Sequence, residues 1–186
     1  MSERRDLPDR SKWSAVIRLL SPREAPLIAA HFSSLDGASR QDRFGYAASD
    51  NAVHAYAARL GTERGVLAGC FPDGTLRGVI EVRPTNGQSC YWEGVLSVEP
   101  GWKRQGVGLA LTDVAFKAAR NAGASRVYLR CSVANTVAQH FLARLSRTLR
   151  EEDGDAVASI DVTDPAQVTA AMLRRLTPET RAPAMV

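Results

Sequence analysis

Gly106 and Gly108 follow Lys103, Arg104 and Gln105, at the point where an apolar strand, Val95-Leu96-Ser97-Val98, gives way through Pro100-Gly101 to a helix that opens on small residues. A glycine lets backbone N–H groups come close to a ligand, because no Cβ intervenes and a positive φ carries no steric cost. A helix that starts there leaves its first N–H groups without intrahelical partners and carries roughly half a positive charge at its N-terminus. The chemistry on offer is the binding of a phosphate or diphosphate, with Lys103 and Arg104 adding charge to the rim. Two common phosphate loops are excluded by spacing. A dinucleotide fingerprint needs a third glycine where Leu111 stands, and a Walker A loop needs a glycine followed by Lys and Ser or Thr, which the chain lacks.

With its strand ending in Val98-Glu99-Pro100, the run Lys103-Arg104-Gln105-Gly106-Val107-Gly108 resembles the acetyl-CoA signature [QR]-x-x-G-x-[GA] of the GNAT superfamily of N-acetyltransferases. Lys103 replaces the usual Gln or Arg, a mild departure for a side chain that meets phosphate as a point charge. The resemblance implies a sheet that splays between the strand before the loop and the strand after its helix, with the pantetheine arm of acetyl-CoA in the gap. Leu96, Ser97 and Val98 would offer their backbone edge to that arm. Lys103, Arg104, Gln105, Gly106, Val107, Gly108 and Leu109 would surround the phosphates.

A second match runs from Cys131 to Leu142 and looks like the family's strand followed by N-x-x-A-x-x-[FL]-[YL], carried by Asn135, Ala138, Phe141 and Leu142. Asn135 would contact the pantetheine arm; its own residue type also makes it a helix N-cap. The family's thiolate-protonating Tyr falls at position 142, which is Leu here. Glu93, five residues before Val98, is the candidate general base, against the plainer reading of a strand Glu that is exposed or ion-paired. His31, His54 and His140 read as surface or packing residues, and Cys131 has no His-Asp pattern to make it a nucleophile. The segment Ser39-Arg40-Gln41-Asp42-Arg43-Phe44 resembles an S-x-x-x-R-F element of bacterial members related to protein-lysine acetyltransferases.

These side chains need elements to position them. Strands are expected at 13–20, 66–71, 76–82, 90–98, 125–131, 148–152 and 156–162, and helices at 21–35, 51–60, 106–121 and 135–145, with a polar turn at 36–39 ahead of Arg40–Tyr46. Ser21-Pro22-Arg23-Glu24 carries the pattern of a capped helix start. The order is that of an α+β GNAT fold, a mixed and mostly antiparallel sheet flanked by helices over residues 13–162. Residues 1–12 read as a poorly ordered arm, and residues 163–186 as an added helix from Asp164 to about Leu176 with a Pro-rich tail.

At 186 residues the chain suits one domain with a sizeable core. Its 24 Lys and Arg against 20 Asp and Glu give a formal charge of +4 without a basic run, so nucleic acid is not indicated. Three scattered cysteines support neither a disulfide framework nor a zinc site, and no metal is expected. No apolar stretch is long enough to span a membrane, and a cytoplasmic protein is expected. The leading functional reading is an acetyl-CoA-dependent N-acetyltransferase acting on a primary amine in a ternary complex, with a homodimer allowed by the resemblance. The alternative is a coenzyme A-binding regulatory module, which the missing Tyr favours.

Overall fold

The computed structural model describes residues 16–60, 64–85, 88–146 and 149–164. They form a seven-stranded sheet of order β1-β2-β3-β4-β5-β7-β6. Strands β1 (Val16–Leu19), β2 (Val66–Phe71), β3 (Gly78–Thr85) and β4 (Gln88–Val98) make an antiparallel meander. The loop and its helix α4 (Val107–Asn121) then cross to β5 (Arg126–Ser132), which pairs with β4 in parallel. After α5 (Thr136–Leu145), the hairpin β6 (Leu149–Glu152) and β7 (Asp155–Asp161) adds β7 to β5. The expected arm, the start of the first strand and the helix after Asp164 lie outside the described residues.

Alternation sends the two faces of the sheet into two cores. Ala68, Cys70, Ile80, Val82 and Trp92 pack with α4 and α5, whose buried residues include Val107, Leu111, Ala115, Phe116, Leu142 and Leu145. Val79, Leu67 and Phe71 turn the other way, to the helices between β1 and β2. Burying a large aliphatic or aromatic side chain contributes about 1.5–3 kcal/mol, so both layers are strongly held to the sheet.

Three helices, not two, fill that second layer: α1 (Ala25–Ser34), α2 (Gly37–Phe44) and α3 (Asp50–Leu60). The expected polar turn at 36–39 is the start of α2. Asp36 caps it by accepting from the Ser39 N–H at 2.7 Å, and Gly45, at φ +78°, ends it. Hydrophobic spacing misses this helix because its buried residues, Ser39 and Arg43, are polar. The helix expected from Ser21 also changes form. Residues 22–24 make a single 3-10 turn closed by the Ser21 N–H on the Glu24 carboxylate, and α1 starts at Ala25 with Pro26 in its first turn.

Candidate functional site

Pairing between β4 and β5 runs from Tyr91–Arg126 to Gly94–Leu129 and stops there. Beyond it, β5 continues with β7 and β4 with β3, so the two strands part and leave the edge of Val95–Val98 facing a cleft. Gly94 is the last β4 residue paired with β5, and a Cβ there would lie 2.5 Å from Leu129 Cδ2. The splay expected from the sequence is present.

Glu93 precedes that point by one residue, level with Arg83 on β3 and Tyr128 on β5. Alternation puts it on the face that carries Val95 and Ser97, opposite the α4 layer. It is half-buried, and among the described residues its carboxylate forms no hydrogen bond or ion pair. Tyr91 and Tyr128 meet edge to face beside it, ring centroids 6.2 Å apart. A carboxylate uncommitted at the apex of a cleft can accept a proton from a ligand.

The loop beyond β4 has the backbone of an anion cradle. Arg104 and Gly106 both have positive φ, +61° and +87°. Gly106 is the N-cap of the 15-residue helix α4 and no side chain caps its first N–H groups. Gln105 folds back, its Nε2 donating to the Gly101 carbonyl at 2.7 Å, so it shapes the loop. Val107 and Leu109 are buried in the α4 layer, and only their backbone can reach a ligand. Gly108 serves packing: a Cβ there would stand 3.1 Å from both Leu96 Cδ2 and Phe141 Cε2. A bulky side chain at 108 therefore disturbs the core in addition to any ligand.

Lys103 and Asn135 are brought to the cleft but arrive with partners. Lys103 Nζ donates to Ser39 Oγ at 2.8 Å. Asn135 Oδ1 caps α5 by accepting from the Ala138 N–H at 2.9 Å, while its Nδ2 donates to Asp42 Oδ2 at 2.7 Å. Ser39 and Asp42 both lie on α2.

The positions of Leu142 and His31 are settled by packing. Leu142 is 3% exposed, packed in the core under α5, so the position of the family's usual acid faces inward here. Of the two readings of His31, surface or packing, the second holds: its ring is buried, with Nε2 2.9 Å from Ser97 Oγ and Nδ1 3.6 Å from Glu99 Oε1. Burial, opposed by the Glu99 charge, lowers its pKa to about 4, so the ring is neutral at pH 7. Glu99 is held in turn by Ser34 Oγ at 2.7 Å and Arg77 Nη1 at 2.9 Å. This polar set was missed because its members come from α1, β4 and the chain around them, far apart in sequence. Cys131 is half-buried, and burial with the Asp155 and Asp42 charges raises its thiol pKa, which keeps it protonated. No group of three or more His, Cys, Asp or Glu among the described residues could hold a metal ion, and no described helix is long and apolar enough to cross a membrane.

The sequence of residues 33–146 matches the acetyltransferase (GNAT) family, a span that includes the whole cleft. The chain belongs to that family. No curated protein matches it. Among solved structures, the GNAT domain of PAT from S. lividans is similar at 19% identity over 79% of this chain and 90% of that one, with a TM-score of 0.67. The yncA protein of Salmonella typhimurium, solved with acetyl-CoA, has 13% identity over 81% and 95%, TM-score 0.62. The paia N-acetyltransferase of Thermoplasma acidophilum, solved with coenzyme A, has 18% identity over 80% and 99%, TM-score 0.60. At such identities the likeness is one of fold.

Proposed function

We propose that this GNAT chain is an acetyl-CoA-dependent N-acetyltransferase that moves an acetyl group to a primary amine, on a small molecule or a protein lysine, by direct attack in a ternary complex. The observation that carries the reading is the parting of β4 from β5 beside an uncommitted Glu93, on the strand that runs into the Gly106 loop. Acetyl-CoA supplies the acetyl group as a reactive thioester. The edge of Leu96, Ser97 and Val98 offers backbone donors and acceptors to an amide-rich arm, as a strand does to a peptide. The first N–H groups of α4, with Lys103 and Arg104, suit a diphosphate. Asn135 keeps a second Nδ2 hydrogen for the arm after its bond to Asp42. Glu93 takes the proton from the ammonium so that the neutral amine can attack, a contribution of about 10² to 10⁴ in rate.

A second reading, a coenzyme A-binding regulatory module, is favoured by Leu142, whose core position leaves the family's usual acid without a counterpart there. The test is to incubate the protein with acetyl-CoA and a panel of primary amines and follow free thiol. Thiol release matched by acetylated amine supports the enzyme. Binding of acetyl-CoA without thiol release for any amine selects the regulatory module.

A further inference from the structure

Helix α2 presents Ser39, Asp42 and Arg43 to the rest of the molecule, three polar side chains within two turns. Ser39 accepts from Lys103, which follows β4, and Asp42 accepts from Asn135, which follows β5. One helix thus bridges both banks of the cleft, three residues apart on its surface, and its two contacts fall on two side chains assigned to coenzyme A. The helix itself is pinned to the sheet by the rest of the S-x-x-x-R-F element. Arg43 Nη2 donates to Glu81 Oε2 at 2.8 Å, and Tyr56 Oη donates to the same oxygen at 2.6 Å. The guanidinium is boxed by the rings of Phe32, Phe44 and Tyr56, at 4.9, 5.1 and 5.0 Å from their centroids. Phe44 in turn meets Phe32 and Tyr56 edge to face.

We infer that Ser39 and Asp42 are positioning residues of the donor site: they hold Lys103 toward the phosphates and Asn135 toward the pantetheine arm, from a helix that Arg43 and Phe44 anchor. This rests on the reading above that Lys103 and Asn135 bind coenzyme A. The donor count agrees. An ammonium has three N–H groups and spends one on Ser39; the Asn135 amide has two and spends one on Asp42. Each keeps at least one for a ligand, aimed by the bond already made. A long side chain fixed before its ligand arrives loses less rotamer freedom on binding, so affinity rises without any new contact to the ligand. The S-x-x-x-R-F element is thereby a device of the donor side, and α2 joins the donor cleft to the helical face where an acceptor approaches Glu93.

Calorimetry with coenzyme A and with pantetheine, which lacks the phosphates, tests this on the full chain. Ser39→Ala is expected to weaken coenzyme A binding about fivefold and pantetheine binding not at all, with a loss that shrinks at high salt. Asp42→Ala is expected to weaken both ligands by about the same factor. Ser39→Thr and Asp42→Asn, which keep an acceptor, are expected to bind as the wild type does. Neither alanine change should add to the loss seen in Lys103→Ala or Asn135→Ala respectively. Ser39→Cys and Asp42→Leu, which keep the side-chain volume, serve where an alanine variant does not fold. Equal losses for both ligands in Ser39→Ala, or unchanged binding in both alanine variants while Lys103→Ala and Asn135→Ala bind poorly, overturns the positioning role and leaves the donor site standing. Unchanged binding in Lys103→Ala and Asn135→Ala overturns that assignment of the site, and the inference with it.

Discussion

Glu93 lies on β4 one residue before the strands part, and among the described residues its carboxylate has no hydrogen bond or ion pair. Glu93 could be picked from the sequence because it lies a fixed distance before the loop on a strand, and a strand's period fixes its face. If it is the base, Glu93→Gln lowers kcat by about 10² or more while KM for acetyl-CoA stays near the wild-type value, since the carboxylate contributes in the transition state and not to donor binding. Steady-state kinetics with a competent amine check this, and an unchanged kcat removes Glu93 from the mechanism. His31 could not be picked, because its partners Ser97 and Glu99 are more than sixty residues away and no local pattern marks a buried imidazole. Its consequence is a pH effect on stability. The folded pKa of about 4 lies below the ordinary 6.5, so between these values the unfolded chain binds the proton more readily than the native one. The contribution of His31 is intact above about pH 6.5 and is lost progressively as the pH falls toward 4, by up to about 3 kcal/mol. The charged groups acting on the ring are Glu99, which opposes the shift, and Arg43, which adds to it. Urea unfolding at about pH 7 and about pH 5 should show the drop in wild type and a smaller one in His31→Gln. Equal drops in the two proteins would assign the effect to other groups.

At the scale of elements, the strands and α4 could be read because one face of each is apolar at a regular period. Helix α2 could not be, since what it buries is an arginine and a serine, and a polar buried face leaves no trace in a hydrophobic pattern. The motif residues Ser39, Arg43 and Phe44 were legible as types, but their partners Lys103, Glu81 and Tyr56 come from a loop, β3 and α3, and only the packed fold joins them. Helix α5 shows the same limit. Its motif spacing put position 142 where an acid is usual, yet the helix turns Leu142 into the core and leaves Phe141 against Gly108. Leu142→Tyr is therefore expected to destabilise by about 1–3 kcal/mol through overpacking and to leave kcat no higher. A lowered urea midpoint with unchanged kcat agrees with this; a faster, equally stable variant would show that position 142 reaches the reacting atoms.

At the scale of the molecule, the sheet order, the parallel pairing of β4 with β5 and its early end put the open edge of Val95–Val98 and the carboxylate of Glu93 on one strand. In the proposed function, coenzyme A lies along that edge and over the N-terminus of α4. Amide hydrogen exchange with and without coenzyme A reads this directly, since a ligand that hydrogen-bonds backbone N–H groups slows their exchange. Added protection is expected at Val95–Val98 and at Gly106–Leu109, with little change in β1 and β2. Protection confined to other segments, or none at concentrations where calorimetry shows binding, would contradict it.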